Sequence, residues 1–247
     1  MHYKYIEHFF PTQVLKMKAA FFDIDGVLTR GFLIGDFWNH MTEKGIIKKE
    51  AGQKRKKLMQ GYKNGETSYV EFITKAPELI VAEIIGMKHS KIKKEMKDFL
   101  HKREIDIFNY SKLLIKLFKD SGYKTIAVSG SDHDFIENYK KILGFDKVYG
   151  TKFEVKNGTY TGRIEINMGL KESKSTILNG FSNNGVKTSF GFGDTAQDAG
   201  ILENVNVPVA LNPTTELRKL ASKKGWIIMN EIDDVVGEVE KLINNGV

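Results

Sequence analysis

Acidic and hydroxyl side chains follow three separate apolar segments of the chain. They are Asp23 and Asp25, then Ser129 beside Gly130, then Asp194 and Asp198. In an open parallel sheet the carboxyl ends of the strands meet at one edge, so these groups are expected to converge. Clustered carboxylates repel one another unless a hard cation lies among them, and an all-oxygen ligand set favours magnesium over zinc.

Two lysines, Lys171 and Lys174, begin the predicted helix that precedes the Asp194 segment. Magnesium, lysine, a hydroxyl and backbone N–H groups together can stabilise a phosphoryl group during its transfer. The two lysines are three residues apart and share one helical face, so from spacing alone either could point into the site.

The elements that must position these groups follow from hydrophobic periodicity. KAAFFDI, from Lys18 to Ile24, predicts a buried parallel strand, and residues 36–103 show helical spacing that includes an amphipathic helix over 91–100. From Ile107 onward, helices and strands alternate. The predicted helices there are 110–121, 132–143 and one from 173, and the predicted strands are 124–128, 147–149, 189–193, 207–211 and 226–229.

This alternation predicts an α/β fold with a doubly wound parallel sheet, interrupted after its first strand by a helical insert. The stretch VKNGTYTG predicts a hairpin at Asn157-Gly158, since both residues accept positive φ.

Composition narrows the class of protein. The 247 residues are 41% hydrophobic and 28% charged, which is ordinary for a globular protein, and there is no cysteine for a disulfide, a thiolate metal site or a thiol nucleophile. No apolar stretch predicts a signal peptide or a membrane span, so we expect a cytoplasmic protein. The net charge of +7 comes mainly from lysine, with few arginines, which argues against nucleic acid as a partner.

Four segments resemble, in order, the motifs of haloacid dehalogenase-superfamily phosphatases. They are DIDGVLT from Asp23, VSGS from Val128, the helix carrying Lys174, and GDTAQD from Gly193. GFDKVYGTKFEVKNGTYTGRI resembles the phosphoserine phosphatase-like branch, subfamily IB. The resemblance implies a Rossmann-like core over residues 1–34 and 107–247, with a helical cap over 35–106.

The same resemblance implies a role for each matching residue. Asp23 would be the nucleophile that forms an aspartyl-phosphate, and Asp25 would be the general acid and base. Ser129 and the N–H of Gly130 would hold the phosphoryl oxygens. Lys174 would neutralise the nucleophile, and it is favoured over Lys171 because Leu178, four residues later, fits the family spacing.

Magnesium is the cofactor that the resemblance implies. Its ligands would be Asp23, the backbone carbonyl of Asp25, and Asp194. Asp198 would position either a magnesium-bound water or Lys174. In GDTAQD, Gln197 stands where the family motif usually has asparagine.

The substrate is less well defined by the sequence. Phosphoserine phosphatases usually have a glutamate nine residues after the nucleophile, where this chain has Phe32, and the cap stretch GETSYVEFITKAPE lacks their arginine. Phosphoserine itself is therefore doubtful, and Phe32, Trp38 and His133 are the candidate substrate contacts.

These observations predict a magnesium-dependent phosphatase that hydrolyses a small phosphate ester. Two alternatives stay open. One is a phosphotransferase or phosphomutase that uses the same aspartyl-phosphate. The other is a non-catalytic protein that binds acidic partners through its lysine-rich insert. The sequence does not indicate an oligomeric state.

Overall fold

The computed structural model describes residues 17–102 and 105–246. Residues 1–16, which the sequence analysis assigned to the core, lie outside the described residues. So does Arg103, the last residue of the predicted helical stretch. The strands are β1 Met17–Phe22, β2 Tyr123–Asp132, β3 Lys147–Lys156, β4 Thr159–Ile166, β5 Val186–Gly193, β6 Val207–Leu211 and β7 Ile227–Met229. The helices are α1 Leu33–Glu43, α2 Lys49–Lys63, α3 Tyr69–Glu83, α4 His89–His101, α5 Ser111–Asp120, α6 His133–Leu143, α7 Lys171–Asn183, α8 Ala199–Leu202, α9 Thr215–Lys224 and α10 Val235–Asn244.

The strands form one seven-stranded sheet in the order β4-β3-β2-β1-β5-β6-β7. All neighbouring pairs are parallel except β3 and β4, which are antiparallel. The chain winds outward from β1 in one direction through β2 and β3, and then in the other through β5, β6 and β7. The predicted doubly wound α/β fold is confirmed, with an antiparallel strand at one edge.

Alternating side chains of β1 reach two different hydrophobic clusters. Ala20 and Phe22 join the cluster beneath α5, α6 and α10, whereas Ala19 and Phe21 join the cluster beneath α7 and α8. All four side chains are at most 2% exposed. A strand that is apolar on both faces must lie at the centre of a sheet covered on both sides, which is why KAAFFDI reads as a continuous apolar segment.

The insert after β1 is helical, as predicted, and consists of α1 to α4. The side chains of Phe37, Phe99 and Phe135 connect α1 and α4 to α6 of the core, with ring centroids 5.5 and 5.6 Å from that of Phe37. Among the described residues, no helix combines the length and the apolar character that crossing a membrane requires.

The predicted hairpin joins β3 to β4. Asn157 has φ of 51° and Gly158 has φ of 76°, so both turn residues lie in the left-handed region that this tight turn requires. The N–H groups of Gly86 and His89, at either side of the start of α4, donate to the carbonyls of Tyr160 and Gly158. The hairpin thereby attaches the insert to the edge of the sheet.

The turn that follows β1 is fixed by residues distant in sequence. Tyr110 donates its hydroxyl to the carbonyl of Val27 at 2.6 Å, and Ser111 donates to the carbonyl of Leu28 at 2.7 Å. The amide of Asn212 donates to the Tyr110 hydroxyl and to the carbonyl of Gly26. These bonds hold the backbone directly after Asp25 and satisfy carbonyls that the turn leaves unpaired.

Replacing Tyr110 with phenylalanine is expected to lower the free energy of unfolding by about 1–3 kcal/mol, because a buried carbonyl and a side-chain amide each lose a partner. Urea denaturation measures this change. Tyr149→Phe is the control, since no hydrogen bond of its hydroxyl is found among the described residues, and it should change stability by less than about 0.5 kcal/mol. Equal effects in the two variants would contradict the role given to Tyr110.

Candidate active site

The candidate site lies where the direction of strand order reverses, at the carboxyl ends of β1 and β5. Asp23 follows β1, and its N–H donates to the carbonyl of Phe192 in β5 at 3.0 Å. Asp194 directly follows β5. Loops leave these two neighbouring strands in opposite directions, which opens a crevice between them, and open α/β sheets bind their ligands in this kind of crevice.

Lys174 of α7 enters this crevice as a buried cation. Its side chain is 4% exposed, and its Nζ lies 2.9 Å from Oδ1 of Asp23 while also contacting Oδ1 of Asp198. Burial alone would lower the pKa of Lys174, but the carboxylates of Asp198 and Asp23 raise it above its usual value, so the ammonium stays charged. Lys171, the other candidate, points away and pairs with Glu203 at 2.6 Å.

Asp198 is the second carboxylate that contacts Lys174. Its Oδ2 accepts three hydrogen bonds, from the backbone N–H groups of Asp194 and Thr195 and from the Thr195 hydroxyl. Its Oδ1 contacts Lys174. Both oxygens of this fully buried carboxylate are therefore engaged, and the loop after β5 is tied to the lysine of α7.

Asp25 is separated from the lysine and bonded to two hydroxyls. Its Oδ2 accepts from Ser131 at 2.8 Å, and its Oδ1 accepts from Thr29 at 3.4 Å. Desolvation raises the pKa of Asp25 to about 6, while the two hydroxyls lower it in part. A carboxyl group with a pKa near neutrality can both donate and accept a proton.

Ser129 and Gly130 lie at the end of β2, next to β1 in the sheet. Ser129 is 1% exposed, and its Oγ accepts from the N–H of Ser131 at 3.1 Å. The carbonyl of Gly130 accepts from the hydroxyl of Thr151, which in turn accepts from the N–H of Met168. The peptide between Gly130 and Ser131 is therefore held in one orientation, through its carbonyl and its N–H.

Asp23, Asp194 and Asp198 each offer a carboxylate oxygen within 4.8 Å of the other two, a spacing that suits a metal ion. Oδ1 of Asp194 is buried and has no hydrogen-bond partner among the described residues. Gly26, with φ of 84°, makes room for this carboxylate, since a Cβ there would lie 2.2 Å from Oδ2 of Asp194.

The electrostatics of this cluster favour a divalent cation. Burial and neighbouring carboxylates raise the pKa of Asp23 to about 7, against the opposing effect of Lys174, and they raise the pKa of Asp194 well above its usual value. One lysine does not balance these negative charges. A hard cation with oxygen ligands would do so, and the unpartnered oxygen of Asp194 is available to it.

The three candidate substrate residues lie in different surroundings. Phe32 is 41% exposed at the start of α1. Trp38 is 2% exposed and packs against Phe37, because it lies on the buried face of α1, so its side chain is not open to a substrate in this structure. His133 lines a pocket bounded by α4, α6 and the β3–β4 hairpin, together with His89 and other residues. None of the clustered carboxylates lines that pocket.

The sequence analysis assigned no role to Ser131, and it marked Gln197 only as a departure from the family motif. Ser131 bonds the carboxylate of Asp25 although it was not assigned a role, and its place in VSGS was the available signal. Gln197 accepts a hydrogen bond from the N–H of Lys171 at 3.1 Å through its Oε1, so it holds the start of α7. The glutamine that stands in GDTAQD in place of the usual asparagine therefore contacts the helix that carries Lys174.

Comparison with solved structures identifies the fold. A Bordetella pertussis Tohama I protein of unknown function superimposes with a TM-score of 0.73 at 20% identity, covering 88% of this chain and all of that one. A phospho-aspartyl intermediate analogue of phosphoserine phosphatase superimposes with a TM-score of 0.63 at 22% identity, covering 92% of this chain and 99% of that one.

Curated relatives are similar along most of the chain. A histidinol-phosphatase of Neisseria meningitidis serogroup C (strain 8013) is 26% identical over 220 residues, covering 85% of this chain and 97% of that protein. A phosphoserine phosphatase of Archaeoglobus fulgidus is 26% identical over 206 residues, which is 81% of this chain but only 54% of that longer protein. The family model of haloacid dehalogenase-like hydrolases matches residues 20–203, and the chain therefore belongs to the haloacid dehalogenase-like hydrolase family.

Proposed function

We propose that this hydrolase is a magnesium-dependent phosphomonoesterase that works through a covalent phosphoryl intermediate on Asp23. The observation that carries the proposal is the buried contact of Lys174 with Asp23 at the reversal of strand order, beside the unpartnered oxygen of Asp194. A carboxylate held by a lysine, next to a cation site, is suited to attack an anionic phosphate ester.

In the first half-reaction, an oxygen of Asp23 attacks phosphorus, and the bond from phosphorus to the substrate's bridging oxygen breaks. Asp25 donates its proton to the departing alcohol. In the second half-reaction, Asp25 takes a proton from water, the water oxygen attacks phosphorus, and inorganic phosphate leaves Asp23. The pKa of Asp25, raised to about 6 by desolvation, supports both proton transfers.

Ser129 and the N–H of Gly130 are the proposed contacts for the phosphoryl oxygens. The support is their place near the carboxyl end of β2, the strand next to β1 in the sheet. Asp198 is proposed to act by orienting Lys174 and the loop after β5, since one of its oxygens contacts Lys174 and the other accepts from the backbone of that loop.

Magnesium would be held by Asp23, Asp194 and the backbone carbonyl of Asp25, with Asp198 close by in the same acidic group. When bound, it would supply positive charge to the phosphoryl oxygens and allow Asp23 to stay ionised. Residues 35–106, which hold most of α1 and all of α2 to α4, are proposed to form a cap domain over this site. Residues 1–34 and 107–247 are proposed to form the core, although residues 1–16 and 247 lie outside the described part of the chain.

The names of the relatives indicate two substrates to test, histidinol phosphate and phosphoserine. For phosphoserine the structure offers little support. Phe32 stands at the position where a glutamate is expected, and Arg55 is buried and donates to the carbonyl of Trp38 at 2.8 Å and to the hydroxyl of Thr42 at 3.0 Å. A small phosphate ester of another kind is therefore the better candidate.

Asp23→Asn is expected to reduce magnesium-dependent phosphate release by at least about a thousandfold, because it removes the anionic nucleophile and keeps the shape of the side chain. The measurement is kcat/KM on a panel of phosphomonoesters that includes histidinol phosphate and phosphoserine. Product analysis with an alcohol acceptor present separates hydrolysis from phosphoryl transfer.

Asp120→Asn is the matched control, since Asp120 is an exposed carboxylate paired with Lys116 and should leave the rate unchanged. Activity that survives in Asp23→Asn would require a different nucleophile. Magnesium-independent activity in the wild type would remove the proposed role of the cation.

Magnesium is expected to raise the Tm of the wild type by about 3–6 °C at a concentration tenfold above its Kd, since binding to the native state stabilises by mass action. Asp194→Asn should lose most of this shift, because it removes a carboxylate oxygen that has no partner among the described residues.

Thermal unfolding with and without magnesium measures the effect, and it does not depend on the enzyme being active. Asp120→Asn again serves as the control and should keep the full shift. An equal magnesium shift in Asp194→Asn and the wild type would place the cation elsewhere.

A further inference from the structure

Phe32, directly before the insert, and three aromatic side chains of the insert, Tyr62, Tyr69 and Phe72, form a continuous set, which we call the aromatic wall. Tyr62 stacks on Phe72 with ring centroids 5.1 Å apart and planes 15° apart, and it lies 5.5 Å from Tyr69. Phe32 lies 5.9 Å from Phe72. Phe72 is buried, Tyr62 and Tyr69 are half-buried, and Phe32 is 41% exposed. Part of the ring surface of the wall is therefore open to solvent, most of all at Phe32.

A hydrogen bond from the core fixes the wall in place. Pro77 lies inside α3 and has no N–H, so the carbonyl of Ile73, four residues earlier, lacks its helical partner. The side-chain amide of Asn167 donates to that carbonyl at 2.9 Å. The first turn of α3, which carries Tyr69 and Phe72, is thereby attached to the loop before α7.

That loop lies against the proposed phosphate-binding residues. The Oδ1 of Asn167 accepts from the N–H of Gly169 at 3.0 Å. A Cβ on Gly130 would lie 3.1 Å from the Cα of Gly169, and one on Gly169 would lie 3.4 Å from the Cβ of Ile73. Gly130 therefore packs against Gly169, and Gly169 packs against Ile73. These contacts connect the proposed phosphate site to α3.

The two phenols of the wall lie within the field of the carboxylate cluster. Burial raises the pKa of Tyr69, and the charges of Asp198, Asp23 and Asp194 raise it further. Burial also raises the pKa of Tyr62, with a further contribution from Asp194. Tyr62 and Tyr69 therefore lie near the carboxylate cluster of the proposed site.

We propose that the aromatic wall binds the alcohol part of the substrate and that this alcohol carries an aromatic ring. The inference rests on the proposed phosphomonoesterase function and names its substrate class. Ring stacking on the exposed edge of Phe32 and Tyr62 would favour a flat, uncharged group. A zwitterionic alcohol such as serine needs charged partners, and the four side chains of the wall carry no charge at neutral pH.

The test compares two unactivated esters of similar size, benzyl phosphate and cyclohexylmethyl phosphate, with phosphoserine as a third substrate. The wild type should prefer the benzyl ester over the cyclohexylmethyl ester by about two- to tenfold in kcat/KM, the range expected for an aromatic pair. Tyr62→Leu should bring this ratio close to one, because leucine keeps apolar bulk and removes the ring.

Tyr149→Leu is the matched control. Tyr149 is also half-buried, it packs edge-on against the aromatic ring of Phe181, and it is not part of the wall, so its loss should leave the ratio unchanged. Equal rates for the two esters in the wild type would overturn the proposal. So would an unchanged ratio in Tyr62→Leu, or a preference for phosphoserine.

Binding of non-hydrolysable benzylphosphonate and cyclohexylmethylphosphonate, measured by calorimetry with magnesium present, keeps the inference separate from the proposed function. If no ester is hydrolysed but benzylphosphonate binds more tightly, and Tyr62→Leu removes the difference, the phosphatase proposal fails and the aromatic site stands. If phosphate is released from esters while the two phosphonates bind equally, the phosphatase proposal stands and the aromatic site is overturned. Failure of both phosphonates to bind would also overturn it.

Discussion

The ammonium group of Lys174, buried between Asp23 and Asp198, is the interaction on which the rest of the site depends. An ammonium removed from water needs anionic partners, and deleting one partner of such a pair costs about 3–5 kcal/mol. This requirement brings three elements together, because Asp23 follows β1, Asp198 follows β5 and Lys174 belongs to α7. The sheet order, with β1 and β5 adjacent at its centre, makes that meeting possible.

The remaining carboxylates are not balanced in the same way. Asp194 keeps a buried oxygen without a partner among the described residues, and the pKa values of Asp23 and Asp194 are raised by burial and by their neighbours. A site built for stability alone would avoid this repulsion. Its presence at the carboxyl ends of the central strands supports a site whose negative charge is balanced when a cation binds.

The sequence predicted the features that depend on local patterns. The apolar run of β1, the hairpin at Asn157-Gly158 and the acidic residues at the strand ends all follow from neighbouring residues. The resemblance favoured Lys174 over Lys171, but the spacing of the two lysines alone left both open. The burial of Trp38 and the bond from Asn167 to the carbonyl freed by Pro77 depend on packing between distant segments. Helical spacing indicates that a buried face exists, but it does not indicate what that face packs against.

The most direct test of the account is to quench the enzyme in acid during turnover of a phosphomonoester and to analyse its peptides by mass spectrometry. We expect the mass of one phosphoryl group on the peptide that carries Asp23, located on that side chain by fragmentation, and its loss in Asp23→Asn. Turnover with no modified peptide under conditions that trap acyl phosphates, or with the phosphoryl group on Ser129 instead, would contradict the account.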